Sequence, residues 1–200
     1  MRRLITLVCV FLFAPITVAA QTSPALPAVL VADDVRVDQN RVLIAQGNVE
    51  AFQGAVRIKA AAIQYDQRSG SLVITGPIIL QDGENITILA DQAELSQDLQ
   101  NGLLTGARMV LSQRLQLASV EMNRVDGRYT QLYKTAVTSC HVCTDGRPPL
   151  WQIRAKRVIH DQTERQLYFD QAQFRIRNIP VFYLPRLRLP DPTLERATGF

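Results

Sequence analysis

Aromatic residues are scarce in this chain: 6% of 200 positions, against a hydrophobic content of 47%. Any core built from it is therefore aliphatic. Sustained helical patterning is absent too. No stretch of more than about eight residues keeps apolar side chains at i, i+3, i+4 and i+7 between caps, which excludes a helical bundle. No tract of like charge suggests a nucleic-acid-binding arm. No nucleophile–base pair, glycine-rich phosphate loop or paired-carboxylate signature stands out, so the sequence points away from an enzyme and calls for no cofactor. Histidine occurs twice and cysteine three times, too few for a convincing metal site.

What is present begins with a short apolar leader. Arg2 and Arg3 precede an apolar run from Leu4 to Phe13, and Val18-Ala19-Ala20 supplies small residues for cleavage. This is the pattern of an export signal over residues 1–20. The run is too short, and too soon broken by Pro15, to read as a membrane span. Residues 21–30 are proline-rich and read as a flexible leader. The remainder is long enough for one domain with a proper core.

A strand–turn–strand unit then recurs. In the stretch AAAIQYDQRSGSLVITG, Ile63 and Tyr65 alternate with Gln64, DQRSG is a turn, and Leu72 to Ile74 form a second strand before Gly76-Pro77. The same frame starts at Ala32, Ala60, Ala90 and Ala155, and second strands stop at Gly47, Gly76 and Gly106. A period near 30 built from paired strands predicts stacked β-layers sharing one core. The expected fold is all-β. Alternation assigns an inward face to Val35 and Val37, Val42 and Ile44, Ile63 and Tyr65, Leu72 and Ile74, and Ile86 and Ile88, with Leu95 in the slot of Tyr65 and His160. A closed aliphatic core and an open apolar trough both fit that pattern.

Two further features stand out. TSCHVCTDGRPPL interrupts the repeat and carries Cys140 and Cys143. In an exported protein a structural disulfide is the default reading of CxxC, with a thiol-redox pair or a zinc half-site as alternatives. Charge is also uneven. Residues 21–145 carry ten basic and thirteen acidic side chains, whereas residues 146–200 carry ten basic and five acidic. Arg154, Lys156 and Arg157 concentrate that positive charge on one strand, where they are either a solvated face or a contact for anionic groups.

The repeat segments ADDVRVD, LIAQGNV and IQYDQRSGSLVITGPIIL resemble the OstA-like domain of lipopolysaccharide-transport proteins. The later segments TSCHVCTDGRPPLWQIRAKRVIHD and IPVFYLPRLRLPDPTLERATGF are similar to the part of the LptD family of LPS-assembly proteins that leads into its barrel. The resemblance implies a periplasmic β-jellyroll, or β-taco, over residues 31–185, with residues 186–200 a linker towards an outer-membrane barrel that the sequence lacks. It implies lipopolysaccharide transport. LPS would be received from a periplasmic bridge protein docked on the N-terminal edge strand, its acyl chains held by Val35, Val37, Ile44, Ile63, Tyr65, Leu72, Ile74, Ile86, Ile88 and Leu95. Arg154, Lys156 and Arg157 would meet the anionic headgroup. A lipoprotein plug would be a partner wherever the barrel is present. The chain is expected at the periplasmic face of the outer membrane. The family pattern pairs the two cysteines with cysteines of the barrel; in this chain they are expected to pair with each other. The competing readings are an exported thiol-redox protein and a closed-core β-scaffold.

Overall fold

The computed structural model describes residues 28–140 and 148–193. The proposed signal peptide, Cys143 and the last seven residues lie outside them. Among the described residues there is no helix. The described residues form fourteen strands: β1 Ala28–Val31, β2 Asp34–Val37, β3 Val42–Gln53, β4 Val56–Asp66, β5 Ser71–Asp82, β6 Ile86–Ser96, β7 Gly102–Thr105, β8 Arg108–Leu111, β9 Leu115–Ala118, β10 Glu121–Val125, β11 Tyr129–Thr138, β12 Trp151–Asp161, β13 Gln166–Ile176 and β14 Ile179–Pro190. All pairings are antiparallel, and most join sequence neighbours, so one meandering sheet runs from β1 and β2 to β14. The all-β jellyroll expectation holds.

The sheet folds along a crease. In β4, Ile58 and Ala60 are buried, and so is Ile63. In β6 the buried residues are Ile88 and Ala90, then Ala93 and Leu95. A straight strand shows one face every second residue. A switch of parity in mid-strand therefore means that the strand turns a corner and that both halves face one interior. Register shifts mark the corner at Gln46/Val49, Lys59/Ala62 and Thr75/Ile78. Small buried residues line its inside: Ala60, Ala90, Ala107, Thr135, Ala155 and Ala172. Here the two layers converge, and larger side chains would hold them apart. Three of the four alanines that anchor the sequence repeat, Ala60, Ala90 and Ala155, are thus crease residues.

Two cross-strand ladders fill the space between the layers. One runs from Ala45 through Ile63, Ile74, Ala93, Leu104, Met122, Leu132 and Val158 to Phe169. The other runs from Ile58 through Leu80, Ile88, Met109, Leu117 and Val137 to Ile153. Every member is buried, and a fully buried aliphatic side chain contributes roughly 1.5–3 kcal/mol.

Several local expectations are corrected. Gly47 and Gly76 do not end their strands, because β3 and β5 run through them around the crease. Ile44 does not share the face of Ile63: Ala45 pairs with Ile63, while Ile44 pairs with Gln64. The segment VLIA is apolar at both parities, so alternation alone cannot choose its inner face. Ala28, the first described residue, is already in a strand although it lies within the expected leader, and β14 runs to Pro190, five residues into the expected linker. Pro180, Pro185 and Pro190 sit in β14, the last strand of the sheet order, and an edge strand is where proline is tolerated.

Candidate functional site

Opposite the crease, the hairpin tips of the two layers face each other across an open side. Three cavities lie along it. The first, about 890 Å³, lies between Gln53–Val56 with Asp82 and the turns around Asp98–Gln100 and Asp126–Arg128. The second, about 430 Å³, lies between the Gly83–Ile86 tip and His160, Gln162 and Asp191. The third, about 670 Å³, is lined by Leu115, Val137, Trp151, Ile153, Leu167 and Leu189, with Asp191 and two prolines at its edge. Asp82 and Gln162 border the first two, and Asp191 the second and third. The cavities therefore form one seam, polar towards the N-terminal side and apolar towards the C-terminal side.

Two buried polar pairs stand in this seam. Arg124 on β10 is only 4% exposed and reaches out of its own layer to Asp82 at the end of β5, 2.7 Å away. His160 on β12 is buried, with Nε2 2.5 Å from Asp191 Oδ2. Burial alone would raise the Asp191 carboxyl; the His160 hydrogen bond and the Thr193 N–H outweigh it and hold it below the usual carboxylate range. Sequence reading placed Asp191 in a linker and did not single out Arg124. Both had a signal. Arg124 follows inward Met122 by two positions and precedes the Asp126-Gly127 turn, so it occupies the inward slot of Leu95 and His160.

The structure separates the other candidate residues. Ile63, Ile74, Ile88 and Leu95 are buried in the closed middle of the fold. Tyr65, Leu72 and Ile86 share their inward face and are half-buried. Val35 and Val37 pair with Ala45 and Leu43, so they face inward too, yet they are 50% and 60% exposed because, among the described residues, no second layer covers them at this edge. Arg154 and Lys156 alternate with buried Ile153 and Ala155 and lie on the outer face. Arg157 is also on that face and is bound to Asp170 by Nε at 2.9 Å and Nη2 at 2.5 Å. None of the three lines a seam cavity. Cys140 is half-buried, and hydrogen bonding led by the Trp151 backbone lowers its thiol pKa. Its expected partner, Cys143, is outside the described residues.

A buried carboxylate stabilises the rim. Asp161 accepts Nε and Nη2 of Arg128 and the N–H groups of Thr163 and Glu164. Arg128 first, then the two turn amides, hold its carboxyl below the usual range against the opposing effect of burial. A depressed folded value adds stability above the unfolded pKa of about 3.9, and this is lost as pH falls through the folded value. Asp161→Asn is expected to cost about 1–3 kcal/mol at pH 7. The difference from the parent should shrink below pH 4. Urea midpoints at pH 7 and pH 3 measure it; a constant difference would refute it.

The molecule is thus a β-protein whose single sheet folds into two layers around an apolar interior. No family profile matches the chain. Curated proteins named LPS-assembly protein LptD do match it. The one from Xanthomonas oryzae pv. oryzae is 29% identical over 77% of this chain and 18% of its own length. The one from Xylella fastidiosa is 27% identical over 90% of this chain and 22% of its own length. An N-terminal LptD-like domain fits these matches, and the chain spans about a fifth of the length of the relatives. A solved structure of LptH, described as the LptA-homologous periplasmic component of the lipopolysaccharide transport device of Pseudomonas aeruginosa, covers 68% of this chain and 76% of its own at 11% identity. Its TM-score is 0.26, too low to bear on function.

Proposed function

We propose that this chain is a periplasmic module of lipopolysaccharide transport that holds LPS acyl chains in the apolar end of its seam. The observation that carries the reading is the similarity to LptD over 77–90% of the chain, and the 670 Å³ apolar cavity supplies a place for the lipid. Each methylene moved from water into such a cavity gains about 0.8 kcal/mol, so aliphatic walls suffice. The chains enter beside Leu115 and Leu189, both half-buried, rather than at Ile74 or Ile88. A photo-crosslinker at Leu115 or Leu189 is expected to trap LPS, and one at exposed Val73 on the outer face is not. Equal labelling from Val73, or none from the seam, would sink the assignment.

The two sheet edges support a role between partners. Inward-facing Val35 and Val37 are exposed at one edge, and Phe182, paired with Phe174, is 51% exposed at the other. Such edges add strands from another sheet. A bridge jellyroll docks on β2 in this reading, and LPS passes across the joined interiors towards an outer-membrane translocon with its lipoprotein plug. A crosslinker at Arg36, on the outer face of β2, is expected to capture that bridge protein in periplasmic extract. Capture only from β14 would reverse the polarity of the module.

A further inference from the structure

Arg124 is unlike its ladder neighbours. It shares an inward row with Leu72, Leu95, Thr130, His160 and Leu167, and is the one arginine among them. A buried guanidinium is expensive in such surroundings unless its donors are used. Only Nη2 is used, on Asp82. Nε and Nη1 find no hydrogen-bond partner among the described residues. That side chain lines the 890 Å³ cavity of the seam. Of the other charges there, Arg128 is bound to Asp161, Asp98 accepts from Ser96 and the Gln100 N–H, and Asp126 is exposed on its turn. The buried cation there is held across the cleft by Asp82 at Nη2 alone, so each fork that Nη2 makes with Nε or Nη1 is half used and comes free when Asp82 leaves. A fork of this kind takes two oxygens of a tetrahedral oxyanion.

We propose that Arg124 is the phosphate site of the seam, binding a phosphate monoester by exchanging Asp82 for it. The proposal rests on the lipid reading above. It places the anionic head of an amphiphile in the polar part of the seam while its chains occupy the apolar part. In the empty protein the Arg124–Asp82 pair ties the two layers together. Arrival of the ester releases Asp82 and loosens that tie, so loading and opening are one step.

The test uses the whole chain as parent, Arg124→Leu and Asp82→Asn, with three probes: LPS, the same LPS with its phosphates removed, and inorganic phosphate. The parent is expected to bind LPS about tenfold more tightly than the dephosphorylated form, as a charge-assisted hydrogen bond implies. Arg124→Leu should bring that ratio to about one. Asp82→Asn removes the competing carboxylate and should raise it. A merely structural ion pair predicts otherwise: Asp82→Asn would lower the melting temperature and leave the ratio unchanged, which overturns the proposal even if Arg124→Leu does not fold. Equal ratios in parent and Arg124→Leu also overturn it and leave the lipid reading standing. A parent that binds neither form of LPS defeats the lipid reading instead. Melting with and without inorganic phosphate then separates the sources: an Arg124-dependent rise beside an Arg124-independent LPS ratio assigns the site to the free ion and overturns the proposal, and no rise beside an Arg124-dependent ratio assigns it to the lipid phosphate.

Discussion

Ile88→Glu is expected to leave the chain unfolded at pH 7. Ile88 is completely buried in β6, between Leu80 and Met109 in its ladder. No cation lies in that row to receive a carboxylate. An unpaired buried charge costs several kcal/mol, and a domain of this kind has a total stability of about 5–15 kcal/mol. Leu189→Glu is the informative contrast. Leu189 is half-buried on edge strand β14, at the wall of the apolar cavity. A carboxylate there can turn to solvent, so the fold should survive while LPS binding falls at least tenfold. Circular dichroism and urea unfolding report the first effect, and binding of labelled LPS the second. A well-folded Ile88→Glu protein with lowered binding would move the acyl chains from the C-terminal part of the seam to the middle of the fold.

That contrast is where sequence and structure part. The repeat was legible because turns, alternation and small anchors recur together, and the strands follow it from Val42 to Asp161. The crease was not legible as such. Ala60, Ala90 and Ala155 were visible as anchors, but their reason is three-dimensional: two layers meet there. Gly76 looked like a strand end because glycine breaks β-patterning, whereas β5 continues past it. Interior depth was also hidden. Ile88 and Val37 carry the same alternation, yet one is sealed and the other bare, because a second layer covers only the middle of the sheet. Alternation says which face a residue takes, not what lies opposite. Arg124 and Asp191 were missed for the opposite reason. Charged residues near turns are read as solvated by default, and only the folded seam shows them to be buried.

The second large effect is at the crease itself. Gly76→Val is expected to destabilise the protein by about 3 kcal/mol. A Cβ added at Gly76 would sit 2.3 Å from the backbone oxygen of Asp91 and 3.0 Å from that of Ala90, both on β6. These are main-chain atoms of the neighbouring strand and cannot swing aside as a side-chain tip can. Relief requires β5 and β6 to separate at the corner. The pairs Thr75–Gln92 and Ile78–Ala90 flank that point, so their ladder bonds weaken together. The layers then splay where Ile74 and Ile78 are most tightly packed. Gly83, on the hairpin joining the same two strands, is the control. Its φ is +64°, but nothing lies within 4 Å of an added Cβ. Asparagine tolerates that conformation, so Gly83→Asn should shift the urea midpoint by only a few tenths of a kcal/mol in free-energy terms. Equal losses at the two positions would show that the close approach at the crease is not what Gly76 provides. A large loss at Gly76 alone would show that the corner sets the spacing of the layers, and with it the width of the seam opposite.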